Sequence, residues 1–130
     1  MEQCPCGSFL PQQICCLPIV ERKKKARTAL ALMRSRYSAY FWGKAEYIFD
    51  TYTKEWREKQ NRQKWLRSFP QISWEKLEII SVFQGSAKDE TGEVAFVAHY
   101  RLDGHLLNLR ERSFFHREDG DWVYVKEKTS

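Results

Sequence analysis

The sequence predicts an α+β domain, in which a run of helices precedes a curved antiparallel sheet of about four strands. The first observation behind this is a change of period at Pro70. Before it, apolar residues recur at steps of three and four; after it, short β-rich runs alternate in polarity. The second is a pair of turn signals, Asp103-Gly104 and Glu118-Asp119-Gly120-Asp121, which cut the C-terminal half into strands. The third is size: 130 residues, 42% hydrophobic and 15% aromatic, suffice for one packed core.

The elements follow in order. Residues 1–20 read as an irregular knuckle, with turns set by Pro5, Gly7 and Pro18. Apolar residues at Ala26, Ala29, Leu30, Met33, Tyr37, Tyr40 and Phe41 form one helical stripe, which Gly43 ends. Thr28 is a candidate cap, although the pattern also allows a start nearer Lys24. A short aromatic helix is predicted from Lys44 to Tyr52, and a third from Lys54 to Ser68, stopped by Pro70. Strands follow at Trp74 to Phe83, Glu93 to Leu102, His105 to Arg117 and Trp122 to Lys126. Three helices followed by a four-stranded meander make the α+β class.

All four cysteines lie near the N-terminus, as Cys4-x-Cys6 and, eight residues later, Cys15-Cys16. Two short turns thus supply four sulfurs, the donor set zinc prefers. Unligated thiols are the alternative; a redox Cys-x-x-Cys role does not match the spacing. In the sheet, Val94, Phe96 and Ala98 share the helix-facing parity, and so do Leu107, Leu109, Glu111, Ser113 and Phe115. Glu111 on an apolar face needs a partner. Arg36, beside the helical stripe, is the expected one, with Arg34, Tyr37, Tyr40 and Ser113 completing a candidate pocket. A purely structural Arg36–Glu111 salt bridge is the alternative.

The chain resembles the YchJ-like family of small bacterial proteins. The matching pieces are Cys4-Pro5-Cys6-Gly7-Ser8, Cys15-Cys16-x-Pro18 and Leu32-Met33-Arg34-Ser35-Arg36-Tyr37-Ser38-Ala39-Tyr40. Tyr47 with Thr51, Phe96-Val97-Ala98, Glu111-Arg112-Ser113 and Trp122 with Tyr124 continue the match. The resemblance implies a SEC-C-like zinc knuckle over 1–20 and, over 21–130, a nuclear-transport-factor-2-like (NTF2-like), cystatin-related cone. Carried over by position, the zinc ligands are Cys4, Cys6, Cys15 and Cys16. Many relatives carry a second knuckle at the C-terminus; here Val125 is followed by Lys126-Glu127-Lys128-Thr129-Ser130.

Two functional classes follow. The first is a non-enzymatic zinc-containing binding module acting through protein contacts, as SEC-C knuckles resemble the partner-docking tail of the preprotein-translocase motor. The second is a small-molecule or isomerase/dehydratase-like pocket around Arg36, Tyr37, Tyr40 and Glu111. A net charge of +5 and the basic run Arg22 to Lys25 admit RNA or ribosome contact, ranked below protein. Val97, Phe114 and Val123 are a candidate homodimer patch on the outer sheet face. With no run of 18 apolar residues and no basic-then-apolar N-terminus, no membrane contact and a cytoplasmic location are expected.

Overall fold

Thr28 settles where the long helix begins. In the computed structural model, which describes residues 2–127, its side chain accepts from Ala31 N at 3.0 Å and caps α2 (Ala29–Trp42). Gly43, in the left-handed region at φ 71°, closes the other end. Before α2 come a 3-10 turn (Gln12–Ile14) and α1 (Cys16–Val20), so the knuckle contains regular structure where an irregular one was expected. After it come α3 (Ala45–Asp50), α4 (Lys54–Glu58) and α5 (Arg62–Arg67).

The single helix expected from Lys54 to Ser68 is therefore two. Asn61 causes the break: its side chain accepts from Lys64 N at 3.0 Å and starts a new helix, as Thr53 does for α4 through Trp56 N at 3.1 Å. Both helices turn aromatic side chains inward. Trp56 and Trp65 meet Phe49 edge-on, with ring centroids 5.5 and 5.4 Å away.

The sheet is an antiparallel meander, β1 (Ser73–Gln84), β2 (Thr91–Leu102), β3 (His105–Glu118) and β4 (Asp121–Glu127), in that spatial order. Asp103-Gly104 and Asp119-Gly120 form two-residue hairpins with φ positive at both positions, the geometry that matches strand twist. Irregularities in β1 after Trp74 and Ile79, and in β3 after Phe114, curve the sheet around α2. The register sets Phe96 opposite Glu111 and Val94 opposite Ser113, one face turned to α2. β4 pairs with β3 only from Ser113 to Glu118, so the stretch 105–112 lacks a neighbour on that side among the described residues.

The outer face departs from expectation. Val97 and Val123 are 4% and 6% exposed and form no outward patch with Phe114. Val97 lies between Glu78 and Arg110 in the register, whose long side chains flank it.

Where α2 starts, Ala29 N donates to Gly85 O at 2.9 Å, and two glycines let helix and strands touch. A Cβ on Gly92 would stand 2.5 Å from Gly85 Cα and 3.0 Å from Ala29 Cβ. Gly92→Ala is therefore expected to destabilise the fold by about 1–3 kcal/mol through overpacking. Urea denaturation should show a lower midpoint with an unchanged slope.

Candidate functional site

The four cysteines come together although their pairs are separated in sequence. Cys4 N donates to Leu10 O at 2.7 Å and closes a loop whose Gly7 sits at φ 82°, pressed against β1. A Cβ on Gly7 would lie 3.0 Å from Leu77 O, so only glycine fits without displacing the strand. Cys15 follows the 3-10 turn and Cys16 opens α1. The result is four free thiols whose Sγ atoms all lie within 4.8 Å of one another, three of them buried.

α2 holds this centre from below. Arg34 Nη1 donates to Cys6 O at 2.6 Å and lies 3.8 Å from Cys6 Sγ. Ser38 Oγ is 3.5 Å from Cys4 Sγ, and Ser8 Oγ is 3.1 Å from Cys15 Sγ. These groups would form the outer layer that orients the sulfurs around a bound metal. Hydrogen bonds from Cys16 and then Cys4 push the Cys6 thiol far down, towards thiolate. Hydrogen bonds to Cys4 and then Cys6, together with burial, push Cys16 far up. Burial raises Cys15 to about 11. In the metal-free chain, Cys6 is thus the sulfur favoured as thiolate, while Cys15 and Cys16 hold their protons.

Cys4, Cys6 and Cys16 also belong to the same buried cluster as Leu32, Met33 and Tyr37 of α2 and Leu77 of β1. The boundary expected at residue 20 falls at the end of α1, but the packing crosses it.

A second site opens on the opposite side of α2. A cavity of about 310 Å³ lies inside the cone. Arg36, Tyr37, Tyr40, Glu111 and Ser113, all expected there, line it, and Tyr52, Trp74 and Tyr124 join them. Arg34 does not, because helical spacing turns it and Ser38, four residues later, to the knuckle.

The Arg36–Glu111 ion pair is also absent among the described residues. Arg36 Nη1 donates instead to Ile48 O at 3.0 Å and Thr51 Oγ1 at 2.6 Å. Its guanidinium lies over the rings of Tyr52 and Tyr124, 4.6 Å from each centroid. Glu111 Oε2 accepts from Ser113 Oγ and, at 3.0 Å, from Tyr124 OH. Burial raises Tyr40 to about 12 and keeps its hydroxyl protonated.

Sequence reading missed Thr51, Tyr52 and Tyr124 as a unit. They meet because Tyr124 N donates to Thr51 O at 2.8 Å, joining the end of α3 to β4, a contact no local pattern encodes. His99 and His116 face Glu78 and Glu118 at 2.7 and 3.2 Å, outside both sites.

A family described as "YchJ, middle NTF2-like domain" matches residues 28–127. The chain belongs to the YchJ family. It is 40% identical over 122 residues to a UPF0225 protein of Streptomyces coelicolor, across 94% of this chain and 91% of the relative. A UPF0225 protein of Vibrio vulnificus strain YJ016 is 36% identical over 122 residues, covering 94% and 72%. The solution structure of a SEC-C motif containing protein from Rhodopseudomonas palustris superposes with TM-score 0.85 at 28% identity, over 99% of both chains. A SEC-C motif containing protein from Psychrobacter arcticus shares the fold, with TM-score 0.80 at 23% identity, over 100% of this chain and 85% of that one. The NTF2-like α+β class expected from the sequence is thus the fold of this YchJ-family chain. No helix among the described residues is long and apolar enough to cross a membrane.

Two outcomes follow for the cysteine centre. Metal binding displaces the protons held by Cys15 and Cys16, so affinity falls as pH is lowered; titration against a chromophoric chelator should show this steep loss. Arg34→Ala removes the clamp on Cys6, and metal affinity should fall about 10- to 100-fold in the same competition while far-ultraviolet circular dichroism stays unchanged.

Proposed function

We propose that this YchJ-family chain is a non-enzymatic binding module whose knuckle carries one structural zinc ion and docks a protein partner. The observation that carries the zinc reading is the sulfur geometry. A tetrahedral zinc with Zn–S bonds of about 2.3 Å separates its sulfurs by about 3.8 Å. Cys6 and Cys15 stand 3.6 Å apart, and Cys15 and Cys16 4.0 Å. Four thiolates fill the coordination sphere and leave no place for a substrate or water, as in structural sites.

The docking reading rests on what the knuckle exposes. Phe9, Leu10 and Ile14 are 77%, 46% and 62% exposed, the first two on the loop that Cys4 N closes onto Leu10 O and the third at the end of the 3-10 turn. Large exposed apolar groups on one short segment suit a protein surface. The basic run beside them is largely occupied by the chain's own acids. Arg22 pairs with Asp50 at 2.6 Å, Lys23 with Glu21 at 3.3 Å and Lys25 with Asp121 at 2.7 Å. That favours a protein partner over RNA or the ribosome.

The test joins metal content to contact. Purified protein should carry one zinc per chain by native mass spectrometry, and Cys6→Ser should lose it. A photo-crosslinking residue at Phe9 should then capture in cells one protein, identified by mass spectrometry, that the same probe at Lys59 does not. Identical adducts at both positions, or adducts only with a second copy of this chain, would overturn the docking reading. Zinc-free protein with an unchanged melting temperature would overturn the metal reading.

A further inference from the structure

Arg36 is a buried cation that no carboxylate contacts among the described residues. The residue is 6% exposed, and both atoms that accept from its guanidinium, Ile48 O and Thr51 Oγ1, are neutral. Both acceptors use the same nitrogen, Nη1, so the N–H groups of Nε and Nη2 remain for other use. The flanking rings of Tyr52 and Tyr124 fix the guanidinium plane without neutralising it. Burying a charge in this way is costly unless a counter-ion shares the space. Arg36 forms part of the wall of the 310 Å³ cone cavity, so the space exists.

The rest of the cavity restricts what can enter. Tyr40, Trp74, Phe96 and Phe115 present flat apolar walls. Glu111 contributes one carboxylate oxygen, Oε2, to Ser113 and Tyr124, and Oε1 remains as an acceptor. Leu109, 40% exposed, stands on the wall where β3 has outrun β4. The volume lies at the small end of ligand pockets.

We propose that the cone cavity binds a small aromatic carboxylate that also carries a hydroxyl or amine donor. Its carboxylate takes the spare donors of Arg36, its ring lies among the aromatic walls, and its donor meets Glu111 Oε1. Arginine supplies a planar fork suited to a carboxylate, which lysine does not reproduce. The chemistry is one of recognition only, and no bond is made or broken. The proposal is independent of the zinc and partner reading, since the knuckle lies on the other side of α2.

The test uses the full-length protein loaded with zinc and isotope-labelled for two-dimensional nuclear magnetic resonance. Probes are para-hydroxyphenylacetate, para-hydroxybenzoate and meta-aminobenzoate, each beside its neutral amide, with tyramine as the cationic control. The acids should shift resonances of Tyr40, Phe96, Glu111 and Tyr124, and the matched amides should bind at least tenfold more weakly. Arg36→Lys should weaken the acids at least tenfold while leaving tyramine unaffected. The comparison of acid with amide needs no variant, so it holds even where Arg36→Lys fails to fold. Equal binding of acid and amide, tighter binding of tyramine, or no cavity shift with any acid at millimolar concentration would each overturn the proposal.

Discussion

α2 is covered on most of its surface, with Phe41 near its C-terminal end exposed, and this constraint organises the molecule. The knuckle covers one flank, α3 another and the curved sheet a third, so a helix of fourteen residues has eight that are buried, among them Ser35, Arg36 and Ser38. A buried polar side chain must find a partner. Ser35 finds Tyr47 of α3 at 2.6 Å, Arg36 finds Ile48 O and Thr51 at the end of α3 and lies over Tyr124 of β4, and Ser38 finds Cys4 of the knuckle. Arg34, half-buried, reaches Cys6. The string from Arg34 to Ser38 thus ties three layers to one rod, and each tie fixes the rotation of the helix as well as its position.

The two sites owe their difference to that rod. On one side, sulfurs gather tightly enough for a metal, with hydroxyls and a guanidinium behind them. On the other, the sheet curves away and leaves room. A single helical turn separates Arg34 from Ser38 and includes Arg36, so one stretch of sequence serves a tight sulfur cluster and an open cavity. Tyr37 lies between the two. Its hydroxyl is buried without a hydrogen-bond partner among the described residues, and burial pushes its proton affinity up. Strain of this kind is tolerable where its neighbours are locked by other contacts.

Much of this was legible in the sequence. The change of period at Pro70, the Asp-Gly turns and the strand parities fix the meander and the faces on which Phe96, Glu111 and Ser113 stand, because those signals are local. The cysteine centre was legible from ligand chemistry and from the family resemblance. The split at Asn61 was missed because a capping asparagine inside a polar stretch looks like any surface residue until its side chain is seen to accept from Lys64. The partner of Arg36 was misassigned for a different reason. A one-stripe reading of α2 has only one inner face, whereas the helix has several, and opposite charges on one face need not meet. The acceptors it found, a backbone carbonyl of α3 and the hydroxyl of Thr51 just past its end, carry no charge pattern to read.

The position of the cysteines also has a consequence for the order in which the chain is made. All four sulfurs have been synthesised by residue 16, while the groups that orient them, Arg34 and Ser38, and the strand that presses on Gly7 come later. A growing chain therefore holds its full set of ligands before any of their supports. Only when α2 has formed and β1 has closed over Gly7 does a loose chelating loop become a fixed centre. Synthesis runs from ligand to scaffold, and rigidity runs back from scaffold to ligand.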